Sequence, residues 1–314
     1  MAVYEVYNHP IVVRYKTSIC TKASIFALLV ALLTIIAPFL VAYTSEGFWM
    51  KTSVYREQGE VHFKHQILMI LEGATATEYT TWSTYHNYNM LNQGRLRIPI
   101  VKSREIDENR DGKADRLQIN IETPMLDTES VYSVHLLLIM EFKLHRFSSL
   151  IMESMAYIHY NSPRPGAQFT IDGELRFKQN YPLNHRGRDE RFNYPVINGD
   201  SIFAEDYQLT HIFKQYLDRN VSTIYTGEYP VWISGKAAGQ PFNIDATLRY
   251  PEENIMFYTG FWQLIKWAWI QYLAILLIFI FIFERIKTFV FKNKIVLSAT
   301  ERPTFDTPHK SHVD

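Results

Sequence analysis

Residues Gly260–Lys294 read GFWQLIKWAWIQYLAILLIFIFIFERIKTFVFKNK, and this stretch decides the fold class. Between Trp267 and Phe283 it holds about 17 almost entirely apolar residues, close to the minimum that crosses a hydrocarbon core. Its N-terminal flank is rich in aromatic rings and its C-terminal flank is basic. That asymmetry is typical of a membrane span and rare in a buried core helix, which is the alternative. We therefore predict a transmembrane helix at residues 265–283.

A second apolar run lies near the N-terminus. The residues from Ala23 to Ala42 read ASIFALLVALLTIIAPFLVA and carry no charge. A run of about 20 such residues is long enough to span a bilayer, so we predict a helix at residues 23–43. A cleaved signal peptide is the alternative. An uncleaved signal anchor is favoured because the run exceeds the usual apolar region of such a peptide and lacks a clear small-x-small cleavage site.

Basic residues predict the orientation of the two spans. Three basic residues precede the first span and four follow the second, whereas the flanks that lie between the two spans carry both acidic and basic residues. Because basic flanks stay in the cytoplasm, we predict cytoplasmic segments at residues 1–22 and 284–314 and an extracellular domain at residues 44–264. Contacts with the inner leaflet are predicted for the basic residues of the tail, although ordinary stop-transfer charge explains most of that pattern. These residues are Arg285, Lys287, Lys292 and Lys294.

The tripeptide Gly-Phe-Trp occurs just beyond the outer end of each predicted span, at Gly47 and at Gly260. Aromatic rings favour the headgroup level of a bilayer, and two matching groups on one side agree with the predicted topology. We accordingly predict five membrane anchors. They are Phe48, Trp49, Phe261, Trp262 and Trp267.

Composition excludes several classes of function. The chain has 314 residues with 32 basic and 32 acidic side chains, and this balance argues against a nucleic-acid partner. Its single cysteine cannot form an internal disulfide, so the outer domain must depend on its hydrophobic core. Because the sequence has no nucleophile elbow, no His-Glu-x-x-His and no phosphate loop, we expect neither an enzyme nor a small-molecule substrate.

The segment between the spans predicts a mainly β, sandwich-like α+β domain. Its runs of branched and aromatic residues predict seven strands, at residues 61–71, 96–101, 116–122, 132–145, 151–160, 169–177 and 243–250. Leu136–Met140 is apolar throughout but too short to cross a membrane, which favours a buried central strand. Turns are predicted at Pro163–Gly166 and, as a tight hairpin, at Ile171–Glu174. Helical spacing of apolar residues predicts one amphipathic helix, Glu205–Asp218, lying on the sheet.

The segment Asp107–Asp115 could bind a metal ion. Its oxygen-bearing side chains stand at positions one, three, five and nine, with Gly112 at position six, as in the first half of a calcium loop. The twelfth position is Gln118 rather than the glutamate of an EF-hand. A structural calcium site in a strand-loop-strand setting and a solvated hairpin turn both remain open. The candidate ligands are Asp107, Asn109, Asp111 and Asp115.

Two positions are candidates for covalent modification. Asn220-Val221-Ser222 is a glycosylation sequon, and the predicted topology places it outside the cell. Cys20 lies just before the first span on the predicted cytoplasmic side. Palmitoylation and a free thiol are the two interpretations of Cys20.

Taken together, these motifs resemble those of the transmembrane protein 231 family of the ciliary transition zone. The resemblance covers residues 4–293. It rests on Gly47-Phe48-Trp49, Asp107–Asp115, Leu209-Thr210-His211-Ile212, Arg219-Asn220-Val221-Ser222, Arg249-Tyr250-Pro251 and Phe283-Glu284-Arg285-Ile286-Lys287. It implies a two-span protein with a large outer loop and supplies no catalytic residues.

The resemblance also implies a function. Members of the family belong to the Meckel syndrome, or tectonic-like, complex, together with tectonics, meckelin and B9-domain proteins. That complex forms the diffusion barrier of the ciliary membrane, which is needed for ciliogenesis and Hedgehog signalling. We expect a structural component of this complex that contacts membrane lipid. The alternative is a two-span ion-channel or receptor subunit of the plasma membrane, against which the uncharged interiors of both runs argue.

Overall fold

The computed structural model describes residues 13–45, 47–75, 77–237 and 239–301. They form two compact units. Residues 52–259 make one unit, and the described residues before and after that range make the other. The α-helices are α1, Lys22–Thr44, α2, His86–Leu91, α3, Leu209–Leu217, and α4, Phe261–Lys292.

Most of the unit at residues 52–259 is β-structure, as the sequence predicts. Its strands are β2, Thr52–Gln58, β3, Glu60–Glu72, β4, Tyr79–Ser83, β5, Ile100–Ile106, β6, Arg116–Thr123, β7, Val131–Leu144, β8, Ser149–Gln179, β9, Arg188–Asp189, β10, Val221–Ser234, β11, Phe242–Arg249, and β12, Glu252–Tyr258. Strand β1, Arg14–Lys16, and strand β13, Ala299–Glu301, belong to the other unit.

Strand β8 organises the large sheet. The main path of that sheet runs β4-β3-β7-β8-β11-β6-β5, and β9 and β10 also pair with β8. The first half of β8 pairs antiparallel with β7, whereas its second half lies between β10 and β11. Residues of the strands on both sides of β8 contribute to one hydrophobic cluster, including Met140 and Phe142 of β7 and Ile244 of β11. The two halves of the sheet therefore share a core.

The apolar run Leu136–Met140 is the buried central strand that the sequence predicts. Successive side chains point to opposite faces of a strand. Leu136 and Leu138 join the shared core, while Leu137 and Ile139 join a second cluster on the other face. Helix α3 covers that second face with Ile212. Because this strand is buried on both faces, apolar and polar residues do not alternate along it, and its residues form a continuous apolar run.

Two predicted turns are wrong, because both lie inside β8. At Pro163–Gly166 the pairing with β7 jumps from Asn161 to Gly166, where β8 passes from one set of neighbours to the other. Proline has no N–H for a ladder, so it fits such a break. Within Ile171–Glu174, a Cβ on Gly173 would lie 2.4 Å from the carbonyl oxygen of Thr226 on β10. This glycine serves close approach of two strands, not a hairpin.

Other boundaries differ from the sequence prediction. The strand predicted at residues 96–101 lies at Ile100–Ile106, and the sequence does not predict β2, β4, β9, β10 and β12 of this unit. The predicted amphipathic helix is confirmed in its main part as α3, with a short 3-10 turn, Ala204–Tyr207, before it.

The other unit contains the two long helices. Helix α1 begins after Thr21, whose hydroxyl oxygen accepts a hydrogen bond from the Ser24 amide at 3.4 Å. Within the described residues, α1 alone satisfies the length and hydropathy expected of a span, with a mean hydropathy of 2.9. Helix α4 is the longer of the two, at 32 residues and about 48 Å, but it does not meet this combined criterion of length and hydropathy. The second predicted span is therefore not established by the structure.

Candidate membrane helix pair and flanking sites

Small side chains bring α1 and α4 together. Ala42 of α1 and Ala268 of α4 are buried against Phe48, with Tyr272 and Ile275 packed around them. Small residues at a helix crossing let two backbones approach closely in lipid, where no hydrophobic force drives association. The Tyr272 hydroxyl donates a long hydrogen bond of 3.4 Å to the carbonyl oxygen of Ile35, which links the two helices a second time.

An apolar groove of about 590 Å³ lies between these helices. Its lining residues are Ile35, Ile36, Phe39, Phe48, Trp49, Ile265, Ala268, Trp269 and Tyr272. Such a lining offers dispersion contacts and almost no hydrogen-bonding groups, so the groove suits a hydrocarbon chain or a ring rather than a polar ligand.

Four of the five predicted membrane anchors are exposed side chains. Trp262 is the most open, at 80%, and the others are Trp49, Phe261 and Trp267. Phe48 differs, because only 7% of its surface is exposed. Gly47 precedes it in the left-handed conformation, with φ of +89°, and the Phe48 ring packs edge-on against Phe39 at 5.9 Å. Phe48 therefore packs within the helix pair and is not an aromatic ring available to headgroups.

The termini of the described chain meet beside the other end of the helix pair. Strand β1 precedes α1, strand β13 follows α4, and the two pair antiparallel from Arg14 opposite Glu301 to Lys16 opposite Ala299. The Phe291 ring lies 5.6 Å from Tyr15 and 6.1 Å from Phe26. The predicted inner-leaflet residues Arg285, Lys287, Lys292 and Lys294 lie on the last turns of α4 or just after it.

The acidic loop before β6 is closed by its own backbone. The Asp107 carboxylate accepts hydrogen bonds from the Arg110 and Gly112 amides at 2.6 and 2.9 Å. Asn109 and Asp111 each accept from the amide two residues ahead, at 2.8 Å. Side-chain oxygens that close turns in this way are typical of a solvated hairpin. Among the described residues, no three His, Cys, Asp or Glu side chains are grouped so as to hold a metal ion.

Asp115 fixes the base of the same loop. Its carboxylate accepts from the Gln58 side-chain amide at 3.0 Å and from the Glu108 amide at 2.7 Å. These hydrogen bonds, with that from Gln58 the strongest, favour the ionised form and lower the pKa of Asp115 below its ordinary value. A calcium ion at this loop would have to displace several of these bonds, and calcium binding stays a prediction.

The two candidate modification sites lie in different units. Asn220 is partly exposed just before β10, and its side-chain oxygen accepts a hydrogen bond from the Tyr181 amide at 2.9 Å. Ser222 of the sequon is buried in β10, so glycan transfer would have to precede folding of this strand. Cys20 is an exposed free thiol in the turn between β1 and α1. Glycosylation of Asn220 and palmitoylation of Cys20 both stay predictions.

The cluster around the buried side chains of Arg219 and Glu153 is not predicted from the sequence. Arg219 is 3% exposed, and its guanidinium donates to the carbonyl oxygens of Glu153 at 2.7 Å and Tyr194 at 3.2 Å. The Glu153 carboxylate accepts from the Val196 amide at 2.7 Å and pairs with Lys64. These contacts attach the segment before α3 to strand β8. The sequence offers no signal for this cluster, because the partners of Arg219 are backbone carbonyl oxygens.

Comparison with known proteins identifies the family. The sequence model of the family described as Transmembrane protein 231 matches residues 1–300. The chain belongs to the transmembrane protein 231 family. Transmembrane protein 231 of Xenopus tropicalis is 48% identical over 312 residues, 99% of this chain and 99% of the relative. The protein of that name from Homo sapiens is 47% identical, over 98% of this chain and 97% of the relative.

Among solved structures, a cryo-EM structure of a proton-activated chloride channel aligns with 86% of this chain and 99% of its own, at 10% identity and a TM-score of 0.30. A superposition this loose says nothing about shared activity. Membership of the transmembrane protein 231 family does confirm the resemblance that the motifs indicate. It agrees with a membrane protein that carries a mainly β domain.

Proposed function

We propose that this member of the transmembrane protein 231 family spans the membrane twice, with both termini in the cytoplasm. We further propose that it is a structural component of the tectonic-like complex at the ciliary transition zone. The diffusion barrier formed by that complex would control the composition of the ciliary membrane and so support ciliogenesis and Hedgehog signalling. The observation that carries the proposal is the match to the family along nearly the whole chain, at 47–48% identity.

Geometry supports α4 as the second span. It packs against α1 through Ala42 and Ala268, and its central apolar side chains, such as Leu277, Ile278 and Phe281, are exposed. A water-facing helix rarely presents such a surface, whereas a lipid-facing helix requires it. The β1–β13 pairing holds the segment before α1 and the segment after α4 together, as expected when both helices return the chain to one side of a bilayer.

The barrier would arise from assembly rather than from chemistry. Outer domains packed side by side would slow the lipid between their helix pairs, and aromatic anchors such as Trp262 and Trp267 would set the height of each helix pair. The partners we propose are tectonics, meckelin and B9-domain proteins. A non-catalytic role requires no bound cofactor.

Topology can be tested first by glycan mapping. Artificial sequons placed in the tails before Arg14 and after Glu301 should remain unmodified, whereas Asn220 should receive a glycan. Modification of either tail would contradict the two-span arrangement. Asn220→Gln, which removes only the sequon, is the control for the natural glycan.

The ciliary role is tested by localisation. An internally tagged chain is expressed in ciliated cells that lack their own copy of the protein. We expect a ring between basal body and axoneme, together with renewed exclusion of a membrane reporter from the cilium. A folded product spread over the plasma membrane would contradict the barrier role. Ion currents from that product would favour the channel alternative.

The acidic loop and Cys20 provide two smaller proposals. Structural calcium at Asp107–Asp115 should give heat of binding in calorimetry at millimolar calcium, and Asp107→Asn should abolish it. The absence of heat in the unaltered protein would end that proposal. Palmitoylation of Cys20 should appear as hydroxylamine-sensitive labelling that Cys20→Ser removes.

A further inference from the structure

We propose that the segment leading into α1 and the segment at the end of α4 jointly form one binding site for anionic phospholipid headgroups of the inner leaflet. The site, here called the terminal basic surface, comprises residues 13–24 and 284–301. Its position at the inner leaflet rests on the two-span arrangement proposed above. The inference goes further, because it makes the N-terminal segment part of the same site as the tail.

The β1–β13 ladder makes this surface continuous. Three residue pairs align the segments, and the Lys16 ammonium lies 2.6 Å from the Glu301 carboxylate. Phe291 packs near Tyr15 on one side and Phe26 on the other, so the last turns of α4 lie against the first turns of α1. Basic residues that are far apart in sequence therefore belong to one part of the fold.

The charge of the surface is strongly positive. It holds seven basic side chains and two acidic ones, Glu284 and Glu301, and one of the seven is paired with Glu301. All of the basic side chains are exposed except Lys287, which is partly buried. They are Arg14, Lys16, Lys22, Arg285, Lys287, Lys292 and Lys294. This excess is local, because the whole chain is neutral.

Exposed apolar side chains accompany this charge and favour a lipid surface over a soluble anion. Ile19 is 90% exposed and Leu297 is 91% exposed, and Phe289 and Ile295 are also open. Basic side chains interleaved with exposed apolar side chains suit the boundary between headgroups and acyl chains. There the apolar parts of the side chains enter the acyl region, and the basic groups contact lipid phosphates. A site for free phosphate would not need this apolar component.

The test measures lipid retention by the detergent-solubilised full-length chain in native mass spectrometry. The probes are short-chain phosphatidylinositol bisphosphate and phosphatidylserine, with phosphatidylcholine as the neutral comparison. One variant neutralises the N-terminal segment, R14Q/K16Q/K22Q, and another the tail, K287Q/K292Q/K294Q. The matched control is K102Q/R104Q/K178Q, which removes three exposed basic residues from the outer domain.

Each terminal variant should lower affinity for the anionic lipids roughly tenfold to a hundredfold and leave phosphatidylcholine unaffected, since each basic residue near a membrane surface strengthens binding severalfold. The control should change nothing. Thr300→Pro, which disturbs the ladder and leaves all seven charges in place, should lower affinity severalfold.

Loss of affinity in the tail variant with none in the N-terminal variant would overturn the joint site, since stop-transfer charge alone would then explain the binding. Unchanged affinity in both variants would also overturn it. Full competition by inorganic phosphate at equal concentration would refute a lipid site. Because these measurements use detergent, they remain valid if glycan mapping refutes the two-span arrangement, so the two failures can be told apart.

Discussion

Replacement of the buried Arg219 by methionine should destabilise the outer domain more than any surface substitution. Arg219→Met keeps much of the volume and removes the donors. The carbonyl oxygen of Glu153 then loses a charged donor in a buried site, and that of Tyr194 loses one in a partly buried site. The guanidinium also lies 4.0 Å from the centre of the Tyr194 ring, an attraction that methionine replaces only in part.

The magnitude follows from these contacts. A hydrogen bond to a charged group contributes about 1.5–3 kcal/mol, and two of good geometry are lost. The cost of burying the guanidinium disappears at the same time, which offsets part of the loss. We expect a net destabilisation of about 3 kcal/mol, or about 6–12 °C in Tm for a domain of this size. Arg219→Lys should recover only part of it, because a single ammonium cannot reproduce the planar fork.

Thermal unfolding of the full-length chain in detergent, followed by circular dichroism at the β-sheet band, measures this effect. Arg104→Met is the control, because Arg104 is exposed on β5 and its loss should cost less than 0.5 kcal/mol. Equal Tm values for the Arg219 and Arg104 variants would refute the structural role of the buried arginine.

Three further predictions concern the outer domain. Leu137→Ala should cost about 2–5 kcal/mol, because this side chain is fully buried beneath α3, and the exposed Leu126→Ala should be nearly neutral in the same melts. A hydrogen bond from Arg249 lowers the pKa of Asp172. The stability that this pair contributes is therefore complete above the unfolded-state pKa of Asp172 and is lost as pH falls through its folded-state pKa. Asp172→Asn should slightly reduce the loss of stability at acid pH. Asn220→Gln should raise electrophoretic mobility by the mass of one glycan and match the enzymatically deglycosylated protein.

Each of these has a clear contrary result. Similar melts for the two leucine variants would show that α3 does not seal the second core. An unchanged acid limb after loss of the Asp172 carboxylate would place the acid sensitivity elsewhere. A mobility unaffected by deglycosylation would leave Asn220 unmodified.

The sequence predicts the parts of this fold that depend on local pattern. The apolar run Leu136–Met140 was recognisable as a two-sided strand because its length excluded a span and its composition excluded a surface. Helix α3 followed from the spacing of apolar residues such as Ile212 and Tyr216, which are both buried. The long helices follow from hydrophobic length and, for α4, also from its aromatic and basic flanks. Within the described residues, only α1 meets the length and hydropathy expected of a span.

Pattern failed where tertiary contacts give a residue its role. Gly173 is indistinguishable from a hairpin glycine until β10 is seen beside it. Phe48 looks like its neighbour Trp49, yet the turn at Gly47 buries the first ring and exposes the second. Arg219 would be assigned to the surface from its residue type, since arginine is seldom buried. Its partners are backbone carbonyls that carry no sequence signal.

The length of β8 has a consequence for biosynthesis. Its first half can pair with β7 as soon as both have left the ribosome, because these strands are neighbours in sequence. Its second half must wait for β10 and β11. One edge of β6 can pair early with β5, but the other edge also waits for β11, which lies far downstream. During translation the strands up to the first half of β8 can therefore form a partial sheet while the second half of β8 is still unpaired. An unpaired strand edge of this kind can pair with other chains. We expect dependence on chaperones to end only when residues up to Arg249 have emerged.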